Sequence, residues 1–145
     1  MRDHHVGVYG TAAVVLDMMV KVAAVGSLLR ADVVPVLIAV YAVSRAGPLP
    51  LAAGLAYAGT TGTGRAFVDG VGWARTAAGT GVAAVVAVLT VAGWALALLA
   101  SQAVVTGALA VSARRRLGGV TGDVLGAAVE LVLLAGLVVS VVGMG

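Results

Sequence analysis

Residues 79–113 contain no charged side chain, and that run constrains the fold more than any other feature. At 1.5 Å of rise per residue, one helix of this length would reach roughly 50 Å, against a hydrocarbon core of about 30 Å. Two short spans joined by a tight turn fit a bilayer better, with the turn near Gly93 or near Ser101 and Gln102. The rest of the chain has the same character: 61% of residues are hydrophobic and 10% are charged. A soluble domain carries roughly 25% charged residues, so a soluble protein of this composition would expose enough apolar surface to aggregate. In lipid, apolar side chains are the solvated ones. The apolar stretches are continuous, whereas a membrane barrel alternates apolar and polar residues in segments of about ten. Helices also satisfy their own backbone hydrogen bonds, as lipid demands. The 21 glycines suit close helix packing. The expected fold is all-α, a polytopic membrane helix bundle of about five spans, in one domain over residues 1–145.

The other spans follow from the apolar pattern. The first covers residues 11–29 and carries Asp17 and Lys21. The second covers residues 33–43 and is interrupted by Arg45, Gly47, Pro48 and Pro50. Residues 51–58 are apolar but short, and either finish that span or lie at the interface. Residues 59–81 read as a Gly- and Thr-rich loop with Arg65, Asp69 and Arg75. The last span covers residues 121–143. A hairpin within residues 79–113 places Arg2, Arg45, Arg65, Arg75, Arg114, Arg115 and Arg116 on one face and leaves Arg30 on the other. Lys and Arg accumulate on the cytoplasmic side, so the shared face is expected to be cytoplasmic, in a multi-pass protein of the inner cell membrane. The N-terminus lacks the cleavage site of a signal peptide. With no cysteine, disulfides, thiolate metal sites and Cys nucleophiles are excluded. A net charge of +3 with 4% aromatic residues does not suggest nucleic-acid binding.

The stretch RRRLGGVTGDVLGAAVEL, residues 114–131, is the most informative. Arg114, Arg115 and Arg116 stand at a membrane edge. Gly118, Gly119 and Gly122 follow, then a helix whose first turn holds Thr121 and Asp123. Glycines let a backbone turn tightly and expose its N–H groups, and a helix N-terminus offers unpaired donors and partial positive charge. Arginine binds phosphate in a bidentate way. These parts make a phosphate cradle. Asp123 would repel a phosphate unless a divalent cation stood between them, and Mg²⁺ is typically shared between one or two carboxylates and substrate phosphates. The plainer alternative is a topology signal followed by a helix cap. Glu130, seven residues after Asp123, falls on the same helix face about two turns into an apolar span, where an ionisable group is a functional hypothesis by default. Asp17 and Lys21, four apart, share one face. They form an internal ion pair or else set Lys21 against a substrate anion. The opening Arg2, Asp3, Gly7, Tyr9 and Gly10 combines a charge pair with a flexible helix entrance. His4 and His5 are adjacent and share no face. The glycines of GTTGTGR, residues 59–65, follow no strand, so a dinucleotide-binding reading fails its context and a surface loop is expected.

Two of these stretches together resemble cobalamin synthase, the adenosylcobinamide-GDP ribazoletransferase family. RRRLGGVTGDVLGAAVEL resembles its C-terminal signature. MRDHHVGVYG, followed by an apolar helix with Lys21, resembles an internal motif of the form R-D-x-x-x-G-x-Y-G. Ser44, Arg45 and residues 62–64 fit the middle region more loosely. The chain resembles the C-terminal three-fifths of a member. Nothing here matches the acidic motif, like D-G-L-A-D-T-x-D-G, that family members carry upstream. That part is expected to be separately encoded, lost, or cut off by a start assigned at an internal Met. The resemblance implies transfer of adenosylcobinamide phosphate from adenosylcobinamide-GDP to α-ribazole or its 5′-phosphate, with release of GMP and with Mg²⁺ as cofactor. It assigns catalytic roles to Arg2, Lys21 and Arg45. Phosphate binding falls to Arg114, Arg115, Arg116, Gly118, Gly119, Thr121 and Gly122, and metal binding to Asp3 and Asp123. Gly7, Tyr9, Gly10 and Glu130 support the site. Expected partners are the two substrates, the bilayer, and a separate N-terminal segment or a second copy. A small transporter or channel subunit, with Asp17, Lys21 and Glu130 lining a pathway, and an inactive family remnant are the alternatives.

Overall fold

The computed structural model describes residues 7–29, 33–59 and 62–144, and the described residues are nearly all helical. Seven α-helices follow in order: α1 (Val8–Leu28), α2 (Val33–Ala46), α3 (Pro48–Gly54), α4 (Thr63–Gly70), α5 (Trp73–Val91), α6 (Ala95–Leu117) and α7 (Gly122–Met144). Four helical segments are long and apolar enough to cross a membrane: Val8–Leu28, Val33–Gly54, Trp73–Leu117 and Gly122–Met144. The third, of 45 residues, is too long for one crossing. It is broken by a 3₁₀ turn at Ala92–Trp94. Its two halves fold side by side, because Thr80 and Ala84 of α5 line the same cavity as Leu99 and Gln102 of α6. The reversal is at Gly93, one of the two expected places, while Ser101 and Gln102 lie inside α6. The bundle therefore has five legs.

Gly47 decides how the second span packs. Proline at the start of α3 removes a donor, yet the chain stays helical through Gly47 (φ −51°, ψ −47°). A Cβ there would meet the Ser44 carbonyl at 3.0 Å, Val132 Cγ2 at 3.1 Å and the Ala128 carbonyl at 3.3 Å. The α2–α3 joint can lie against α7 because that side chain is missing. Val40, one helix stretch earlier, sits against Gly136, so α2 and α7 are antiparallel. Lys21 of α1 bonds Glu130 of α7. The four residues linking Leu28 to Val33 can reach the start of α2, beyond Gly136, only if α1 runs parallel to α7. The main core joins Leu28, Val36, Val40, Val43, Ala87, Leu98, Val132 and Leu137. A second, smaller core of Leu51, Val68, Val120 and Leu125 sits at the end where α4 packs.

This topology gathers Arg65, Arg75, Arg114, Arg115 and Arg116 at one end, while Arg45 lies within the second span. Arg45 ends α2, Arg65 lies in α4, Arg75 opens α5, and Arg114, Arg115 and Arg116 close α6. Arg2 and Arg30 fall outside the described residues. One expectation is corrected. The loop expected over residues 59–81 contains α4, and α5 starts at Trp73. The apolar run continues upstream of Gly79 with Arg75 as its one charge, and Arg75 reaches back to the Gly70 carbonyl at the helix start. Of the two alternatives for residues 51–58, the first holds for their start: α3 finishes the second span, with Leu51 and Ala52 buried.

The hairpin gives a direct expectation for labelling, and the chain has no native cysteine to interfere. Arg65→Cys and Arg115→Cys should react with a membrane-impermeant maleimide from the same side of the membrane, and Gly93→Cys from the opposite side. Labelling of positions 65 and 115 from opposite sides would mean that residues 73–117 cross only once.

Candidate phosphate-facing site

The turn between α6 and α7 is built by its glycines. Gly118 takes a left-handed conformation (φ +71°), which ends α6 as glycine commonly does. A Cβ on Gly119 would lie 2.3 Å from the Ala56 carbonyl oxygen, which no side chain tolerates. The space is needed because Val120 pairs with the chain beyond α3. The Val120 amide donates to the Ala56 carbonyl, and the Ala58 amide donates to the Val120 carbonyl, each at 2.9 Å. Tyr57 and Val120 thus form an isolated parallel bridge, the one piece of strand pairing among the described residues. Thr121 Oγ1 then accepts the Val124 amide at 3.4 Å and caps α7. The amides of Gly122 and Asp123 open the helix without intrahelical acceptors.

α4 closes over this turn. A Cβ on Gly64 would be 3.1 Å from Gly122 Cα and 3.2 Å from the Tyr57 ring, and one on Gly62 (φ +134°) would be 2.6 Å from Tyr57 Oη. The Gly62 and Gly64 that read as a surface loop are contacts of Tyr57 and Gly122. Periodicity missed this, because its signal is a set of glycines whose partners lie far away in sequence. Arg65 pairs with Asp69 at 3.6 Å along α4. Arg114, Arg115 and Arg116 are exposed at the last turn of α6. Arg116 and Val124 line one small cavity of about 130 Å³ between α6 and α7. Asp123, in the first turn of α7, is exposed and engages no partner among the described residues. Gly7, Tyr9 and Gly10 open α1 at the same end, since α1 and α7 run parallel, and they are exposed.

Not every expected residue gathers there. Arg2 and Asp3 lie outside the described residues. Arg45 lines a groove with Ala46, Leu49, Gly79 and Val82, so it is grouped with α5 and not with the α6–α7 turn. Lys21 lies deep on the α1–α7 seam, 14% exposed, bonded to Asp17 at 2.7 Å and to Glu130. The expected Asp17–Lys21 pair is thus a triad of one cation and two carboxylates, with Glu130 more than half exposed at 58%. Among the described residues no group of three or more His, Asp or Glu side chains could hold a metal. Asp123, exposed and unpaired, suits a single carboxylate contact to a cation whose other ligands come from phosphate and water.

The geometry defines a polytopic membrane protein with an end where arginines and a helix N-terminus attract anions beside one exposed carboxylate, Asp123. The chain belongs to the Cobalamin-5-phosphate synthase family, which it matches over residues 1–141. It is 34% identical over 137 residues to the adenosylcobinamide-GDP ribazoletransferase of Chlorobaculum tepidum, covering 91% of this chain and 54% of that protein. The ribazoletransferase of Klebsiella pneumoniae is 36% identical over 135 residues, 90% of this chain and 54% of that protein. That of Syntrophobacter fumaroxidans is 34% identical over 133 residues, 91% of this chain and 54% of that protein. The chain spans about half the length of the curated relatives it matches. No solved structure matches it.

Two stability outcomes follow. Gly119→Ala should destabilise by at least about 2 kcal/mol, because its methyl strikes a carbonyl already engaged in a hydrogen bond. Lys21→Met should lower thermal stability in lipid nanodiscs more than the triple variant Asp17→Asn, Lys21→Met, Glu130→Gln, since the single change strands two carboxylates. Equal loss in both would show that the triad is not coupled.

Proposed function

We propose that this chain forms the phosphate-binding half of a membrane-bound adenosylcobinamide-GDP ribazoletransferase, with its active face cytoplasmic in the inner membrane. The observation that carries the reading is the convergence of Arg114, Arg115, Arg116, the glycine turn and exposed Asp123 at one bundle end, in a chain whose relatives bear that name. A hydroxyl of α-ribazole, or of its 5′-phosphate, attacks the phosphate next to the cobinamide side chain of adenosylcobinamide-GDP. The new P–O bond forms as the bond to GMP breaks, GMP leaves as the anion, and the hydroxyl proton passes to solvent or a base. The arginines hold the pyrophosphate and oppose the charge that grows on it. The α7 N-terminus adds its dipole and free amides. Asp123 would hold Mg²⁺ together with Asp3, and the ion, when bound, offsets phosphate charge. Lys21 and Arg45 lie away from the α6–α7 turn in the geometry above. In this reading they steady the bundle around the site instead of touching the leaving group.

The assay is GMP release from adenosylcobinamide-GDP with α-ribazole and Mg²⁺ in membranes. The chain alone should be inactive or very slow. Adding a segment that carries the family's acidic motif, joined or co-expressed, should restore turnover. In the restored enzyme Asp123→Asn should slow the rate on the order of 100-fold, because it removes charge while keeping shape. A restored enzyme that releases no GMP would sink the transferase reading. Full activity of the chain alone would show that the acidic motif is dispensable.

A further inference from the structure

The seam between α1 and α7 is packed at its far end and open toward the arginines. Gly10, Val14, Asp17, Lys21, Ala24 and Leu28 fall on one face of α1. Ala24 and Leu28 are buried, Asp17 and Lys21 are partly buried, and Gly10 and Val14 are exposed. α7 repeats the gradient along one face of its own. Leu133 and Leu137 are buried, whereas Glu130, Gly126 and Asp123 are exposed. Leu28, Leu133 and Leu137 belong to the main core, and a Cβ on Gly126 would meet nothing within 4 Å. The two faces therefore part company toward the arginine-rich end, with the Asp17, Lys21 and Glu130 triad at the fork. Glu130 lies about 12 Å along α7 from its start at Gly122. Hydrocarbon at that depth cannot solvate a carboxylate that is 58% exposed. Lys21 supplies one positive charge for two carboxylates, and Asp17 Oδ1 is enclosed without a hydrogen-bond partner. The cluster is short of a donor.

We infer that this open seam seats a further membrane helix, which presents a hydrogen-bond donor to Glu130 and small or apolar side chains to Gly10, Val14 and Gly126. The helix belongs to the portion of the relatives that this chain does not match. That portion is large, since the match covers 54% of the Chlorobaculum tepidum and Klebsiella pneumoniae proteins. Charge argues against the two simpler occupants. Lipid tails offer Glu130 no donor. A second copy related by two-fold symmetry would set one excess negative charge against another. The uncovered length also suits a helix: residues 8–16 of α1 are all exposed, a rise of about 13 Å. Seated there, the helix walls one side of the end that holds Asp123. The inference rests on family membership and not on the transferase reading, because contact is measured without turnover.

The test compares this chain alone, in lipid nanodiscs, with the same chain joined to the unmatched portion of the Chlorobaculum tepidum relative in that relative's order. A lipid-soluble trifluoromethyl phenyl diazirine is activated by light, and adducts are mapped by mass spectrometry. In the chain alone, Val14 and Glu130 should label comparably with Leu89 and Leu96, which are 80% exposed. In the joined protein, labelling of Val14 and Glu130 should fall about fivefold while that of Leu89 and Leu96 holds. Gly126→Trp enters open space, so the chain alone should keep its melting temperature, and the joined protein should lose the protection. Glu130→Leu should lose it as well, whereas Glu130→Gln keeps an acceptor and should retain most of it. Should the joined protein misfold, the same map on the intact Chlorobaculum tepidum protein, at the residues aligned with Val14 and Leu89, decides the matter. Protection without GMP release sinks the transferase reading alone, and GMP release without protection sinks this inference alone. Unchanged labelling of Val14 in a folded joined protein, protection already present in the chain alone through a second copy, or equal protection in the Gln and Leu variants overturns the inference.

Discussion

The two hydrogen bonds of Val120, to Ala56 and Ala58, tie together the two connections on which the polar end depends. One follows the second span, and the other joins α6 to α7. Helices in lipid complete their own backbone bonding, so they exert little pull on the loops between them. Backbone pairing between loops supplies what the helices lack. Through it the α6–α7 turn is held against Tyr57, and α4 is laid over Gly122. The first turn of α7 then has a fixed wall on one side, and Asp123 is left free on the other. Without the bridge, the arginines of α6 and the N-terminus of α7 would be neighbours in sequence with no defined shared surface.

Small residues set the depth of packing elsewhere in the bundle. Gly47 admits α7 beneath the joint of the second span, and Gly136 admits Val40. In lipid, van der Waals contact between close backbones takes over much of the role that water plays for soluble proteins. That explains why Ala39, Ala87, Ala95 and Ala128 are buried while many valines and leucines of α1 face outward. The charges obey the same logic. Lys21 sits between Asp17 and Glu130, where each carboxylate lowers the cost of keeping the ammonium in an apolar seam.

The membrane class, the hairpin within residues 79–113 with Gly93 as one of two candidate turns, the arginine-rich end and the last helix with Asp123 were all legible in the chain. Each depends on local quantities: run length against bilayer thickness, helix period, and the placement of charge. The signature of residues 114–131 was legible for the same reason, since cradle, turn and helix start are contiguous. Its division of labour was not. Nothing in the spacing of Lys21 or Arg45 shows that one is taken up by Glu130, 109 residues away, and that the other lines a groove against α5.

Sequence by itself therefore determined that this chain is a multi-span helical membrane protein with most of its arginines toward one end, because hydrophobicity and charge act residue by residue in a bilayer. Tertiary structure alone decided the pairing of Ala56 and Ala58 with Val120, the seating of α4 on Gly122 and the carboxylate that joins Lys21 from α7. Those contacts bring together residues remote in the chain. They arise from how closely whole helices can approach, which a glycine permits but does not direct.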